Sequence, residues 1–467
     1  MILWIVAVVA VLLVTYVTAY VWAYRRVADD PNGPRPTPAP PTADELRRCR
    51  AWLFQPITLG GVALQNRLIK AATFESACSH YYPTDTLVAF HVEQSAHVGL
   101  SIVSYGCIAR DGLTFRGGNQ LLLDPSSEAC RLALRRLTAA VHAAGPGRRI
   151  GIQLTHGGLM NESTNCVAPS GQISLSALWW ARGLSVTDIK TIVMQFAAAA
   201  TMCQEVGFDA VEIHCGHGYL LSQFLSPVYN KRKDFFGSRC VADRARFPAE
   251  VVKAVRAAVG SSFPVLVKMN AEDGVRGGMT AVEAGEVARL LGAAGATMVV
   301  PSTGLALANG IHMLRGPFPQ WQMVRGNAAS WVKRVGLSLF GPFLVPHIRF
   351  QPLFLLKPSC IVAARQRGGS VSLAYLGGVT GAADVLEVWR TGHFAAVAVA
   401  RALLRDPAWP RRVDAEFAWW SERVDAAETG NPSAAPSDIE DSAVACCHCN
   451  SCIVAQMTSA PLRCVKR

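Results

Sequence analysis

The stretch Gly207-Phe-Asp-Ala-Val-Glu-Ile-His-Cys-Gly-His-Gly-Tyr-Leu-Leu-Ser-Gln-Phe-Leu-Ser-Pro-Val-Tyr-Asn230 decides how the chain is read. Its apolar run from Ala210 to Ile213 reads as a buried strand that ends abruptly in His214, Cys215, His217 and Tyr219. Proton-active side chains therefore gather where a strand gives way to a loop, and in an α/β protein chemistry is placed at that junction. The spacing His214-x-x-His217 is also half of a metal site. A zinc hydrolase, however, needs a glutamate inside a helical His-Glu-x-x-His. Here Cys215 and Gly216 intervene directly after a strand, so hydrogen-bond donors aimed at a substrate oxygen are the better reading.

Outward from this stretch, short apolar runs alternate with amphipathic segments of helical length, the signature of βα units and a parallel sheet. The runs are Leu68 to Ala72, Leu100 to Tyr105, Arg149 to Leu154, Ala210 to His214, Val265 to Met269, Thr297 to Pro301, Ser372 to Leu376 and Ala396 to Ala400. Eight such strands close a barrel. Ser185-Val-Thr187-Asp188 opens a long helix that runs to Val206 and stops at Gly207, and Gly295 ends another begun after Thr280. Asn161 to Arg182, with Pro169, Gly171 and the pair Trp179-Trp180, is too long for an ordinary connection and reads as a lid over the barrel mouth. Gly304 to Arg367 is apolar, aromatic and dotted with prolines, and predicts no more than one certain helix.

The N-terminus has a different character. Ile2 to Tyr24 carries no charge and is followed at once by Arg25-Arg26. That run exceeds the ~20 residues needed to cross a hydrocarbon core. A signal peptide has a shorter apolar region, about 7 to 15 residues, and prefers a positive charge before it, whereas only Met1 precedes this run, so an uncleaved single-span anchor is expected rather than a cleaved signal. The arginines then keep the rest of the chain in the cytosol. Asp29 to Pro41, rich in proline, predicts a semi-rigid spacer. The expected boundaries are an anchor over 1–26, a Pro-rich linker over 27–50, a barrel over 51–425 and a linker with a Cys-rich tail over 426–467.

Composition narrows the function. The net charge of +12 raises the question of nucleic acid, but the basic residues are spread along the chain with no aromatic-interleaved basic block. A solvated surface, or one resting near anionic lipid, is the better meaning. Of 14 cysteines, Cys49, Cys78, Cys107, Cys130, Cys166 and Cys203 stand alone in patterns that suit buried positions of a protein in a reducing compartment.

The histidine block, with Gln223-Phe-Leu-Ser-Pro, Asn230-x-Arg232-x-Asp234 and Asp243-Arg-Ala-Arg-Phe247, closely resembles the Old Yellow Enzyme family of flavin oxidoreductases. Asn66-Arg67, Gly151-Ile-Gln153-Leu-Thr-His156-Gly-Gly, Lys268, Leu376-Gly377-Gly378-Val-Thr and Ala400-Arg401-Ala-Leu-Leu-Arg-Asp-Pro407 fall in that family's order, over roughly Leu53 to Pro410. The resemblance implies an α/β (β/α)8 TIM barrel with FMN across its C-terminal mouth. Gln153 would pair with the flavin's pyrimidine edge, since an amide offers both a donor and an acceptor. Lys268 would lie near N1 and O2, where a fixed cation stabilises the anionic reduced ring. Ala72, Thr73 and Gly106 would line the ring, and Gly377, Gly378, Ala400 and Arg401 would hold the phosphate. His214 and His217 resemble the pair that polarises a substrate carbonyl while hydride passes from flavin N5 to the β-carbon, and Tyr219 the proton donor to the α-carbon. With no G-x-G-x-x-G nucleotide domain, NAD(P)H would bind transiently in the substrate pocket by a ping-pong mechanism.

Departures from the family pattern are Lys70-Ala-Ala-Thr-Phe74 as the continuation of the first strand, Leu159 in place of a common arginine, Ala400 in place of a glycine, and a one-residue shift in Phe236-Gly-Ser-Arg-Cys240. They keep open a second reading, a flavin-free, membrane-tethered barrel that serves as an interaction or scaffold protein. The C-terminal set Cys446-x2-Cys449-x2-Cys452-x11-Cys464 has the density of a metal centre. It is similar to the segment that holds a [4Fe-4S] cluster in longer relatives such as 2,4-dienoyl-CoA reductase, with one gap a residue shorter. A cluster, zinc and a reactive thiol tail all stand as readings, and the chain ends three residues after Cys464, without room for the FAD-bearing module that such a cluster serves. The expected substrate is a small enone-type molecule, with no nucleic acid partner.

Overall fold

A computed structural model describes residues 38–177, 179–237, 239–306, 312–316, 348–366 and 371–429, together with 446, 450 and 452. The barrel strands are β1 (Leu68–Lys70), β2 (Leu100–Cys107), β3 (Ile150–Thr155), β4 (Ala210–Cys215), β5 (Val265–Glu272), β6 (Met298–Thr303), β7 (Ser372–Leu376) and β8 (Ala396–Val399). They form a closed barrel in the order β4-β5-β6-β7-β8-β1-β2-β3, every pairing parallel. Each expected strand is present, with no end moved by more than three residues and Ser372–Leu376 unchanged.

The helices are α1 (Ala43–Phe54), α2 (Asp85–Gln94), α3 (Glu128–Ala143), α4 (Val186–Glu205), α5 (Leu220–Leu225), α6 (Val241–Val259), α7 (Ala281–Ala293), α8 (Leu356–Arg365), α9 (Ala382–Arg390), α10 (Arg401–Arg405) and α11 (Trp409–Thr429). α4 starts as its sequence predicts: the Ser185 hydroxyl accepts from the Asp188 amide and the Asp188 carboxylate reaches back to the Ser185 amide. Thr280 and Glu283 do the same for α7. Gly207 and Gly295, at φ 95° and 108°, take the left-handed turn that follows each helix.

Two apolar layers hold the wall. Ile69, Ala71, Leu100, Ile102, Ala210, Leu266, Met298, Val300, Ala374, Ala396 and Ala398 fill the barrel interior. The alternate residues, such as Val103, Ile152, Val211, Ile213, Val267 and Val299, pack outward against the helices. This period-two alternation puts Gln153 and Glu212 on the interior side of adjacent strands, where they are direct neighbours, and pairs His214 with Lys268.

The region from 27 to 50, expected as linker, is corrected in its second half. α1 begins at Ala43, capped by a reciprocal Thr42–Glu45 box, and its buried residues Ala43, Leu46, Cys49 and Leu53 lie in a helix that packs on α11. Proline fell silent after Pro41, and Thr42-x-x-Glu45 was a helix start in plain view. Residues 2–24, the expected anchor, lie outside the described residues; among the described residues no helix is long and apolar enough to cross a membrane. The expected lid contains a small sheet, Val167–Ala168, Trp179–Gly183 and Gln172–Ser174 in that spatial order. Of the six lone cysteines, Cys49, Cys107, Cys130, Cys166 and Cys203 are buried, Cys78 is half-buried, and all six are free thiols.

Candidate active site

Strand β4 ends in a turn that no ordinary residue favours. His217 at φ 60° and Gly218 at φ 80° are both left-handed, a conformation that non-glycine residues keep only where surroundings enforce it. The enforcement comes from β5 and the segment after β6. The His217 amide donates to Asn270 Oδ1 at 3.0 Å, and the His217 carbonyl accepts from the Ala306 amide at 2.9 Å. The His217 ring is placed with Nε2 2.7 Å from Ser302 Oγ.

This turn brings the three predicted residues together. The His214 ring lies 5.1 Å from that of His217 and 4.6 Å from that of Tyr219. His214 and Tyr219 are buried and His217 is half-buried. Burial, then His217 and Lys268, hold His214 well below the usual imidazole range, and burial with Lys268 brings His217 down to about 3. Both imidazoles are therefore neutral at physiological pH. Burial pushes Tyr219 up to about 12, against hydrogen bonds from Tyr105 and Thr114 that pull it down, so it keeps its proton. The site thus offers two neutral N–H donors beside a protonated phenol.

One layer deeper in the barrel, Gln153 Nε2 donates to Glu212 Oε1 at 2.6 Å, and Lys268 Nζ lies 3.2 Å from the same oxygen. Lys268 Nζ also donates to the Ala72 carbonyl at 3.4 Å, which ties the cation to the loop after β1. Thr73 Oγ1 donates to the Ala71 carbonyl at 3.0 Å, turning that loop. Glu212 Oε2 and His214 Nδ1 are buried without a hydrogen-bond partner. Buried polar atoms are seldom left so, and these two flank a donor–acceptor–cation set that suits the heteroatom edge of a flavin. The residues present fit FMN.

At the far end of the barrel mouth, Gly377 and Gly378 stand at φ 139° and 77°. A Cβ on Gly377 would come within 2.8 Å of the Leu355 side chain, and one on Gly378 within 2.9 Å of the Leu353 amide, so only glycine fits. Gly106 is likewise required by packing: a Cβ there would meet Leu123 at 2.6 Å. Ala400 is the cap residue of α10, at φ −114° and ψ −88°. Arg401 Nη1 donates to Asn450 Oδ1 at 2.8 Å and to the Arg315 carbonyl at 3.4 Å. Asn450, itself buried, thereby sets one point of the Cys-rich tail against the arginine expected to hold phosphate. Of the expected metal ligands, Cys449 and Cys464 lie outside the described residues. Among the described residues, Cys446 and Cys452 included, no group of three or more His, Cys, Asp or Glu is placed to hold a metal ion.

Sequence reasoning missed Glu212, Tyr105, Asn270 and Ser302. The first was detectable: Glu212 lies two residues before His214 in an otherwise apolar strand, hence on the same face. Asn270 has the same relation to Lys268. Tyr105, whose ring meets that of Tyr219 at 5.1 Å and stacks on Phe74 at 5.1 Å, gave no signal, because its partners arrive from distant segments.

The neutral histidines make a stability prediction. In the unfolded chain an imidazole takes up a proton below about pH 6.5. His217 does so in the folded protein only near 3, and buried His156 only near 4. Between those values the unfolded chain binds more protons, so stability is complete above about pH 6.5 and is lost as pH falls. From pH 7 to pH 5 the two should together remove about 4 kcal/mol. Urea unfolding at both pH values measures it, and an unchanged free energy would contradict the neutral state.

A closed parallel barrel carrying an amide, a cation, two neutral histidines and a phenol at the strand ends defines a flavin-type oxidoreductase. The chain belongs to the NADH:flavin oxidoreductase / NADH oxidase family, whose model matches residues 52–334, and within it to the Old Yellow Enzyme group. It is an enzyme, a flavin-dependent oxidoreductase. The chain is 36% identical over 374 residues to 4,4'-dithiodibutanoate disulfide reductase of Rhodococcus erythropolis, covering 78% of this chain and 88% of that protein. The fold resembles that of an old yellow enzyme homologue from Zymomonas mobilis, with a TM-score of 0.59 at 22% identity over 78% of this chain and 92% of the other. A complex of 2-naphthoyl-CoA reductase matches with a TM-score of 0.68 at 20% identity over 89% of this chain, which spans 56% of that longer protein.

Proposed function

We propose that this enzyme uses FMN to take hydride from NAD(P)H and deliver it to an activated, α,β-unsaturated alkene or a related electron acceptor. The observation that carries this reading is the cluster of His214, His217 and Tyr219, with ring separations of 4.6 and 5.1 Å. FMN, when bound, supplies hydride transfer. The chain supplies the rest. Neutral His214 and His217 each present an N–H toward a carbonyl oxygen, which draws charge off the conjugated double bond. Tyr219, protonated up to about pH 12, holds the proton destined for the α-carbon. Gln153 and Lys268 would hold the pyrimidine edge of the flavin, and Arg401 with the backbone of Gly377 and Gly378 its phosphate. Nicotinamide and acceptor would occupy the same pocket in turn, by a ping-pong mechanism. A single span over residues 2–24 would tether the barrel to a membrane, facing the cytosol.

The purified full-length chain should be yellow and lose its colour on anaerobic addition of NAD(P)H. Re-oxidation should then be assayed with enones and with an organic disulfide, since the Rhodococcus relative is named for a disulfide. A colourless protein that takes up no added FMN overturns the reading and favours the scaffold.

A further inference from the structure

The turn after β4 fixes more than the position of its rings. His217 is clamped through its backbone, whose amide donates to Asn270 Oδ1 at 3.0 Å and whose carbonyl accepts from the Ala306 amide at 2.9 Å. Asn270 cannot present its other end. Both hydrogens of its Nδ2 are used, one on Asp273 Oδ1 at 2.9 Å and one on the Gly304 carbonyl at 3.0 Å, so its oxygen is what faces His217. Asn270 and Ser302 are direct partners across β5 and β6. One rung of the barrel therefore holds the His217 backbone with one residue and meets its ring with the other, Nε2 lying 2.7 Å from Ser302 Oγ.

A bond between a hydroxyl and an imidazole nitrogen can run either way, and the two directions make opposite sites. The His217 ring is neutral at physiological pH and so carries a single proton. If the ring donates from Nε2, a lone pair is left on Nδ1, which repels a carbonyl oxygen. If the hydroxyl donates to Nε2, the ring proton sits on Nδ1 and is free to bind that oxygen. The surroundings choose between the two. Ser302 is buried, 3% exposed, and its hydroxyl meets no group but His217 among the described residues. Were Nε2 to donate, the hydroxyl hydrogen would be shut inside the protein with nothing to accept it. A donor orphaned in this way costs more than a spare lone pair on an oxygen. With the hydroxyl donating, that hydrogen is used. Nδ1 has no partner among the described residues and His217 is half-buried, so Nδ1 is the nitrogen left for a ligand.

We propose that Ser302 is a positioning residue that holds His217 as its Nδ1–H tautomer, so that Nδ1 is the nitrogen this histidine offers to an acceptor's oxygen. What Nδ1 meets rests on the enone reduction proposed above; the tautomer belongs to the protein alone. Ser302 acts through the ring and not on the acceptor.

¹⁵N NMR of the full-length chain, labelled only at histidine, reads the tautomer directly. The His217 signals are assigned by difference against His217→Asn, since asparagine tolerates the left-handed backbone at φ 60°. Near neutral pH, Nδ1 should give a pyrrole-type resonance and Nε2 a pyridine-type one, displaced upfield by the hydrogen bond it accepts. In Ser302→Ala that displacement should vanish, and kcat/KM for cyclohexenone should fall by about 10- to 100-fold, the usual worth of a group that orients a histidine from behind. Ser302→Thr, which keeps the hydroxyl, should restore both. A pyrrole-type Nε2 in the wild type overturns the assignment, and an alanine variant with the wild-type Nε2 resonance or the wild-type kcat/KM does the same. The wild-type spectrum decides the tautomer even where neither Ser302 variant folds. It also keeps the two readings apart. An Nδ1–H tautomer in a protein that reduces no enone fails the proposed function and leaves the tautomer standing, whereas a pyrrole-type Nε2 in a protein that does reduce enones fails only the role of Ser302.

Discussion

Replacing Tyr219 by phenylalanine should slow reduction of an activated alkene by about 10²- to 10⁴-fold, the usual worth of a positioned general acid, while the NAD(P)H half-reaction changes by no more than about twofold. The asymmetry follows from the site. The ring is buried between His214 and Tyr105 at 4.6 and 5.1 Å, and phenylalanine keeps that packing, so only the hydroxyl is lost. Hydride donation from nicotinamide needs no proton from the protein, whereas protonation of the α-carbon does. Because burial holds the Tyr219 phenol at about 12, the wild-type alkene reaction should show no loss of rate through pH 10 from this group and decline only beyond it. Stopped-flow measurement of the two half-reactions separates the cases. Equal loss in both would assign Tyr219 to binding and remove it from the proton transfer.

The barrel was legible because its eight strands are short apolar runs between amphipathic helices, a pattern set by burial on both faces of a parallel sheet. The histidine turn was legible because polar residues cut such a run short. What stayed hidden depends on tertiary pairing. Lys70 is a charge inside a strand, yet nothing local says that Glu75 and His91 will meet it, or that Gln153 and Lys268 will converge on Glu212. The phosphate end was hidden for another reason: Leu353, Leu355, Arg315 and Asn450 reach it from segments with no periodicity to read.

The hidden cluster at β1 carries the largest stability prediction. Lys70 and Glu75 are fully buried, with Lys70 Nζ 3.1 Å from Glu75 Oε1 and also donating to the Ile102 carbonyl at 3.1 Å. The Ser104 amide lies within 3.0 and 3.1 Å of the two carboxylate oxygens, and His91 Nε2 is 3.2 Å from Oε1. Glu75→Gln keeps the shape but leaves an ammonium in the protein interior without its counter-charge, which should remove about 3–5 kcal/mol of stability at pH 7. Burial already lowers the Lys70 pKa, and Glu75 is the group that opposes this. Without it the folded value drops further below that of the unfolded chain, so the unfolded chain binds the extra proton between the two. Stability of the variant should therefore rise with pH and approach that of the wild type as the medium nears pH 10. Lys70→Met/Glu75→Gln, which removes both charges, should recover most of the loss at pH 7, because the destabilising element is the unpaired charge and not the missing contact. The function is exposed to the same test: this cluster anchors both ends of the segment Ala71–Phe74, whose Ala72 carbonyl takes a hydrogen bond from Lys268 and whose Phe74 ring stacks on Tyr105 at 5.1 Å. A Glu75→Gln protein as stable as the wild type at pH 7 would mean that Lys70 is neutral in the fold, and the buried pair would then be a hydrogen bond between an amine and a carboxyl rather than an ion pair.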